Sequence, residues 1–491
     1  MKKVIVIGGG LGGLSAAATL ARNGFDVKLF EKNEHLGGKL MPVKLGTHHF
    51  DFGPNTITMP HVFDSVFHES GENPRDYFEW VSIENHTQNV GPDGEKFLMS
   101  TDPETVIEQL NSIDPYAAKH YPAFLEEVKR LYHLSEKAFF HRTFTSWKDY
   151  FSPGLFSALQ KVKPLETMDH FHQRYFKNPF LLQVFNRYAT YIGSSPYVSP
   201  ATFSLIAYLE MVQGVFYVKG GTVKIAEGLA ELARKNGADL LANTEVSRIL
   251  TEGKRAVGVE LSSGEKIEAD TVVLNGDLLE AMPSLLDEKN RSHLSNRKIE
   301  NSSPSISAFV ILAGLDRHLD DLIHHQVYFS ADYKKEFREL FGGEWPDDPT
   351  IYISNSSYTD KSVSPDGSNL FILVNAPPLA ANGKMSIDPE VYKEQIYNRL
   401  RKFGITIKPH LKHEKVFTPI DINRKFRAFR GALYGLSSNR KKDSFLRPFN
   451  RSQDIQNLYF AGGTTHPGGG SPMVVISGQN VAREIISAFD S

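Results

Sequence analysis

Lys2-Lys3-Val4-Ile5-Val6-Ile7-Gly8-Gly9-Gly10-Leu11-Gly12-Gly13-Leu14-Ser15-Ala16-Ala17-Ala18 opens the chain, and its reading decides the fold. Val4 to Ile7 is β-branched throughout, as in a strand buried on both faces. Gly8, Gly10 and Gly13 match G-x-G-x-x-G, and an alanine-rich helix is predicted from Leu14 to about Asn23. Gly8 permits the tight strand-to-helix turn, Gly10 lets backbone approach a pyrophosphate, and Gly13 lets helix and strand pack closely. The helix N-terminus offers free N–H groups and the positive end of its dipole to phosphates. A second predicted strand, Asp26 to Phe30, ends at Glu31, close to the ~20-residue spacing at which a carboxylate accepts from the adenosine ribose. A lone glycine motif is weak evidence, but strand, motif, helix, strand and acid in this order predict dinucleotide binding.

Length and composition bound the rest. The 491 residues exceed one simple core and predict two interleaved domains. Hydrophobic residues make up 41% and charged residues 23%, an ordinary soluble composition. The 55 basic and 57 acidic residues balance to −2, which argues against a nucleic-acid partner. The absence of cysteine removes disulfides, thiolate metal sites, iron–sulfur clusters and cysteine nucleophiles. The apolar part of the N-terminus is too short for a signal peptide, and no apolar run reaches a membrane-spanning length of ~18 residues. A cytoplasmic location is expected.

Leu36-Gly37-Gly38-Lys39 suits a loop beside a cofactor, with Lys39 within reach of phosphate or flavin, though an ordinary turn reads equally well. Phe50 to Thr56 reads as a further cofactor or substrate loop. His48 and His49 lack metal partners and are expected to be solvated. From Val62 the spacing becomes helical, with predicted helices at Val106–Leu110, Pro122–Leu134, Leu155–Val162 and Pro179–Tyr191. The stretch Phe139 to Phe156 mixes Trp147, Tyr150, Phe151, Pro153 and Leu155 with Arg142 and Lys148. It reads as ordinary helical core or as a monotopic membrane contact, in which rings enter the interface and cations meet headgroups. A helix from Val223 to Asn236, short strands and a buried strand at Val272–Leu274 signal a return to the first α/β domain. Strands at Ser307–Leu312, Gln326–Phe329, Thr350–Ile353 and Leu370–Val374 then predict a sheet covered on one side. His324 and His325 give no reason to be called ligands.

The C-terminal end mirrors the first. Asn457 to Gly463 is a short buried strand ending in glycines, and Thr464 to Pro472 is a glycine-rich loop. A helix follows from Met473, with Pro472 at its first turn. A second helix N-terminus facing such a loop stabilises the negative charge that a reduced flavin gathers at its N1–C2=O2 edge.

Together the two ends resemble the bacterial carotenoid (phytoene and diapophytoene) desaturase family of FAD enzymes, over nearly the whole chain. The carriers are Val4–Gly13 with Glu31, Gly37-Gly38-Lys39, Phe52-Gly53-Pro54 with Met59-Pro60, Tyr191-Ile192-Gly193, Gly220-Gly221, Thr418-Pro419-Ile420-Asp421 and Leu458–Met473. Tyr459-Phe460-Ala461-Gly462 followed by Thr465-His466-Pro467-Gly468 narrows a large superfamily to this branch. Gly463 stands where many relatives place an acid for the ribityl chain, so that contact is unassigned. Gly469-Gly470-Ser471-Pro472-Met473, Ser477-Gly478-Gln479 and Gly193-Ser194-Ser195-Pro196-Tyr197 look closer to the diapolycopene/diaponeurosporene oxygenase members, whereas Thr465-His466-Pro467 is desaturase-like.

The resemblance implies an α/β fold: a Rossmann-like FAD-binding domain, similar to glutathione reductase and amine oxidases, interleaved with a mixed α+β substrate domain. The expected FAD domain is discontinuous, at 1–61, 213–283 and 414–491. The expected insertions are a mainly helical substrate and membrane-contact segment at 62–212 and a substrate sheet at 284–413. The expected FAD contacts are Gly8, Gly10, Leu11, Gly12, Gly13, Glu31, Lys32, Gly38, Lys39, Val246, Gly462, Gly463, Pro472, Met473 and Val474. No metal site is expected, and no catalytic base is identified. The implied reaction is oxidation of a C30 apocarotenoid, at its terminal methyl to an aldehyde or by desaturation through allylic hydride transfer. An electron acceptor, quinone or oxygen, and peripheral contact with the inner face of the cell membrane are implied too. An amine or porphyrinogen oxidase, a redox-neutral carotenoid isomerase and a non-catalytic binder of carotenoid or nucleotide are the rival readings.

Overall fold

In the computed structural model, residues 1–151 and 153–490 are described. The side chains of Pro153, Phe156, Lys441 and Lys442 lie outside that description, as do Ser152 and Ser491. In chain order the strands of the two large sheets begin with β1 (Lys3–Ile7), β2 (Asp26–Phe30), β3 (Asn85–Val90), β4 (Lys96–Ser100), β5 (Asp239–Leu241) and β6 (Thr271–Asn275). They continue with β7 (Ser307–Leu315), β8 (His325–Tyr328), β9 (Ile351–Asn355), β10 (Asn369–Ala376), β11 (Leu411–Phe417) and β12 (Leu458–Ala461). The helices that matter here are α1 (Leu11–Arg22), α2 (Pro60–Glu69), α3 (Pro115–Ser135), α4 (Lys224–Lys235), α5 (Pro389–Lys402) and α6 (Ser471–Asp490).

The first sheet has the order β12-β6-β1-β2-β5, and every pairing in it is parallel. Parallel neighbours need crossovers that cover both faces, which is why Val4, Ile5 and Val6 are all buried. Helices α1, α4 and α6 share one core with Val4 and Val6, while Ile5 joins Val272, Leu274 and Leu458 in another. Helix α1 starts at Leu11, three residues before the predicted Leu14, because Gly12 and Gly13 accept helical geometry in its first turn.

The second sheet has the order β11-β7-β10-β9-β8-β3-β4 and is antiparallel except where β8 runs alongside β3. All four strands predicted for it are present. It is not covered on one side only: every residue of β7 is buried. Phe309 and Ile311 pack with Tyr392 and Ile396 of α5, and Ala308, Val310 and Leu312 face Phe52 and Phe371. Two findings revise the expected segments. Strands β3 and β4 fall inside 62–212 and extend this sheet, joined through a turn in which Gly91 N–H donates to the Glu95 carbonyl at 2.8 Å. Strand β11 crosses the expected boundary at 414 and pairs with β7.

Six of the eighteen histidines are buried: His48, His86, His172, His324, His325 and His466. His48 is buried, with Nδ1 2.6 Å from Ser364 Oγ, contrary to the expected solvation, because the hairpin carrying it folds over β7; His49 is exposed. His324 and His325 are buried at the start of β8, and no cluster of metal-ligating side chains occurs among the described residues. No helix among them is long and apolar enough to cross a membrane.

Burial holds His86 and His172 down to about 4, and His324 and His466 down to about 3. Each is neutral in the fold, whereas the unfolded chain takes up a proton below about pH 6.5. Stability is therefore full above about pH 6.5 and falls between about pH 6.5 and 4, by up to ~1.4 kcal/mol per pH unit for each such group. Denaturant unfolding across that window is expected to show this loss, and His172→Asn, which removes one titrating group, is expected to make it shallower.

Candidate active site

The N-termini of α1 and α6 meet over the C-terminal edge of the first sheet. Their approach is set by glycines around one side chain, Asn275 at the end of β6. Asn275 Nδ2 donates to the Gly8 carbonyl at 3.1 Å. A Cβ on Gly12 would lie 2.7 Å from Asn275 Oδ1 and 2.8 Å from the Val474 carbonyl of α6. Ser15 Oγ donates to the Val475 carbonyl at 2.9 Å, tying the two helices together. Gly8 has φ +100°, a conformation only glycine adopts readily. Gly10 differs from its neighbours. Its φ is an ordinary −69°, and a Cβ there would meet only Asn275 Nδ2 at 3.0 Å and the Gly38 Cα at 4.0 Å.

A cavity of ≈ 590 Å³ opens above this junction. The predicted cofactor residues line it, with one exception. Gly13 lies beneath the wall, where a Cβ would come 2.9 Å from Asn275 Nδ2, in keeping with a role in helix–strand packing. At one end, Glu31 Oε2 accepts from Gly9 N–H at 2.8 Å, and Oε1 accepts from Asn33 N–H and Nδ2 at 2.9 and 2.8 Å. Three donors against the roughly four acceptor positions of a carboxylate leave one for a ligand hydroxyl. Val246 lines the same end, beside the ion pair of Glu245 with Arg427. Lys32 donates to the Arg424 carbonyl at 3.2 Å, and burial lowers its pKa. Lys39 Nζ donates to the Ala432 and Leu433 carbonyls, and burial pulls its pKa down to about 8. Its ammonium thus anchors the 432–433 segment instead of standing free for a phosphate.

At the other end, Gly462 and Gly463 lead from β12 into the loop that opens α6. Gly462 N–H donates to Ser477 Oγ at 3.1 Å, and Val474 N–H donates to the Gly470 carbonyl at 3.0 Å. Arg447, buried, donates from Nη1 to the Gly463 carbonyl at 3.2 Å and from Nη2 to Ser438 Oγ at 3.2 Å. Its side chain lies against Gly468, where a Cβ would come 3.3 Å from Nε. Burial lowers its pKa to about 10, so it stays charged at neutral pH. Asp277 accepts from Phe429 N–H at 3.0 Å and from Thr464 Oγ1 at 3.3 Å, closing the loop from below. Sequence reading missed Asn275, Asp277 and Arg447. Asn275 ends a buried strand and Asp277 lies two residues beyond it, where open α/β sheets place their ligands, and this position was the available signal.

Beyond the loop the cavity turns apolar along the second sheet, against Ala308, Val310, Val327, Phe371 and Leu373. Phe203, Leu205 and Leu209 of the inserted helical segment line the cavity as well. A polar, glycine-lined half and an apolar half thus share one space. The cradle suits a dinucleotide: open backbone at Gly10, the N–H groups of the α1 first turn without intrahelical partners, and an acid at Glu31.

The model of flavin-containing amine oxidoreductases matches residues 11–486. The chain belongs to that family. Its fold is also that of cyclohexylamine oxidase from Brevibacterium oxydans, with a TM-score of 0.61, 16% identity and both chains covered completely. The 4,4'-diapolycopene oxygenase of a Methylomonas species is 35% identical, across 99% of this chain and 98% of its own. The 4,4'-diaponeurosporene oxygenase of Staphylococcus haemolyticus is 33% identical, across 99% and 97%. These relatives bear out the resemblance carried by the two ends of the sequence. The chain is a flavin-dependent oxidoreductase, and the residues at the junction of α1 with α6 could hold such a cofactor.

The glycines separate packing from ligand binding. Gly12→Ala is expected to cost about 1–3 kcal/mol in denaturant unfolding, since backbone of α6 blocks relief. Gly10→Val is expected to unfold close to the wild type but to purify without flavin absorbance.

Proposed function

We propose that the flavin is FAD and that the protein oxidises a C30 carotenoid, at its terminal methyl group toward an aldehyde. The observation that carries this reading is the single cavity whose glycine-lined half continues into an apolar half along β7, β8, β9 and β10. A polyene needs such a dry, elongated wall, whereas a small cationic amine needs a polar one. Near full-length similarity to oxygenases named for C30 carotenoids supports the substrate class.

In this reading the α1 first turn and Gly10 hold the pyrophosphate, and Glu31 takes the adenosine ribose. Leu11, Gly12, Gly38 and Val246 complete that half, with Lys32 and Lys39 fixing the chain around it. Gly462, Gly463, Pro472, Met473 and Val474 bring the α6 dipole to the ring. FAD bound there supplies a two-electron acceptor for an allylic C–H bond. The apolar wall aligns one carbon of the polyene and excludes water. Taking a methyl to an aldehyde removes four electrons in two such rounds and adds one oxygen atom. With oxygen as acceptor, R–CH3 and O2 give R–CHO and water; with a quinone as acceptor, R–CH3, one admitted water and two quinones give R–CHO and two quinols.

The substrate comes from a lipid phase, and exposed rings suit contact with it. Trp147 is 57% and Phe151 81% exposed, in one stretch with the exposed cation Lys148, while Phe140 and Phe144 just before them are core. We therefore read this edge as a peripheral contact with the inner face of the cell membrane.

Two measurements test the proposal. In cells that make a C30 polyene, expression of the chain is expected to yield a terminal aldehyde by mass spectrometry. A longer conjugated chain without oxygen would mean desaturation, and unchanged pigment would defeat the substrate class. Trp147→Ser with Phe151→Ser is expected to cut co-sedimentation with anionic vesicles several-fold while leaving flavin content intact; undiminished co-sedimentation would contradict the contact.

A further inference from the structure

A cavity meant only for hydrocarbon has no use for a guanidinium, yet Arg187 stands in the apolar half. It lines the cavity with Tyr191 and Tyr352. Its own bonds are long: Nη2 to Glu210 Oε2 at 3.4 Å, Nη1 to Tyr191 Oη at 3.5 Å, and Nη2 to Met99 Sδ at 3.7 Å. Its Nε, buried, has no hydrogen-bond partner among the described residues. A guanidinium carries five N–H donors, so this one is under-used.

The sheet beneath it repeats the pattern. Met99 on β4, Thr87 on β3 and His325 on β8 form one transverse row. His86 sits where the β3–β4 register shifts, a distortion that re-aims a side chain. His325 Nδ1 bonds Tyr352 Oη at 2.8 Å, and Tyr352 Oη lies 3.3 Å from Thr56 Oγ1. His86 and His325 each have an orphaned, buried Nε2. Glu210, which neutralises Arg187 and accepts from Tyr191, lies in the π-helical turn Leu209–Gln213, a geometry frequent at functional sites. Burial keeps His86 neutral, with its pKa near 4, and His325 neutral too. The cluster therefore offers donors without net charge.

We propose that Arg187, Tyr191 and Tyr352 form a subsite for an uncharged oxygen function, a hydroxyl or carbonyl, at one end of the polyene. The inference rests on the carotenoid reading of the cavity. It makes Arg187 a specificity-determining residue: the oxygen-bearing end finds donors that a methyl end leaves unpaired, and a carboxylate finds no net positive charge to offset its desolvation.

The test is titration of the FAD-loaded protein, by shift of the polyene absorption band. Three detergent-dispersed C30 polyenes of equal conjugation would be used, ending in methyl, aldehyde or carboxylate. The aldehyde is expected to bind about tenfold tighter than the methyl form, and the carboxylate no tighter than the methyl form. Tyr352→Phe, which keeps the buried ion pair and removes a hydroxyl whose proton is free when His325 Nδ1 donates to it, is expected to lower the preference a few-fold. Arg187→Met with Glu210→Gln removes both charges together, so neither is left buried alone, and is expected to bring the ratio near one. Equal binding of all three polyenes, tightest binding of the carboxylate, or a preference that survives both variants would overturn the subsite while leaving the carotenoid reading standing. If none of the three binds, the carotenoid reading itself fails and the subsite falls with it.

Discussion

The near-contact of two helix N-termini around Asn275 is the constraint on which the rest of the molecule depends. α1 and α6 come from opposite ends of the chain, and each leaves unpaired N–H groups at its start. Bringing both to one edge of a parallel sheet concentrates two positive dipole ends there, a costly arrangement without a negatively charged ligand. It is possible at all because Gly12 and Gly478 remove the side chains that would hold the helices apart. A Cβ on either would overlap the backbone of the facing helix. Asn275 fills the space left and ties the Gly8 turn down.

The interleaved topology follows from that junction. The first sheet is assembled from five separated strands, and the chain leaves it twice before α6 can close it. The excursions build the second sheet and the helices facing it, so the apolar space opens directly from the glycine-lined one. The glycine-lined and apolar halves share a wall, and no separate channel runs between them among the described residues. Within the apolar half, among the described residues, Arg187 is paired with and neutralised by Glu210. A buried pair of this kind is weak evidence for stability and a better pointer to recognition.

Much of this was legible in the sequence, and the failures are instructive. The β1–α1–β2 unit and the β12–α6 unit are local, so their strand runs, glycines and helix starts carry their own signals. The four core strands of the second sheet were legible from apolar runs. β3 was not: Asn85-His86-Thr87-Gln88-Asn89-Val90 has no alternation, and it becomes a strand by pairing with β8 and through the turn at Pro92-Asp93-Gly94. That Asp-Gly pair was a usable hairpin signal. The partners of Lys39 are carbonyls at 432 and 433, and His48 is buried by a fold-over onto β7. Such contacts depend on tertiary placement and leave no trace in local pattern. Arg187, Glu210 and Tyr352 lie on three elements distant in sequence, so their meeting could not be read before the fold was known.

The central claim is that the flavin at this junction takes electrons from a polyene lying along the second sheet. The most direct measurement is anaerobic mixing of the flavin-loaded protein with a detergent-dispersed C30 polyene, followed at the flavin's own absorption band. The account predicts bleaching of that band by the polyene and none by putrescine or cyclohexylamine. Bleaching by an amine, with the polyene inert, would contradict it.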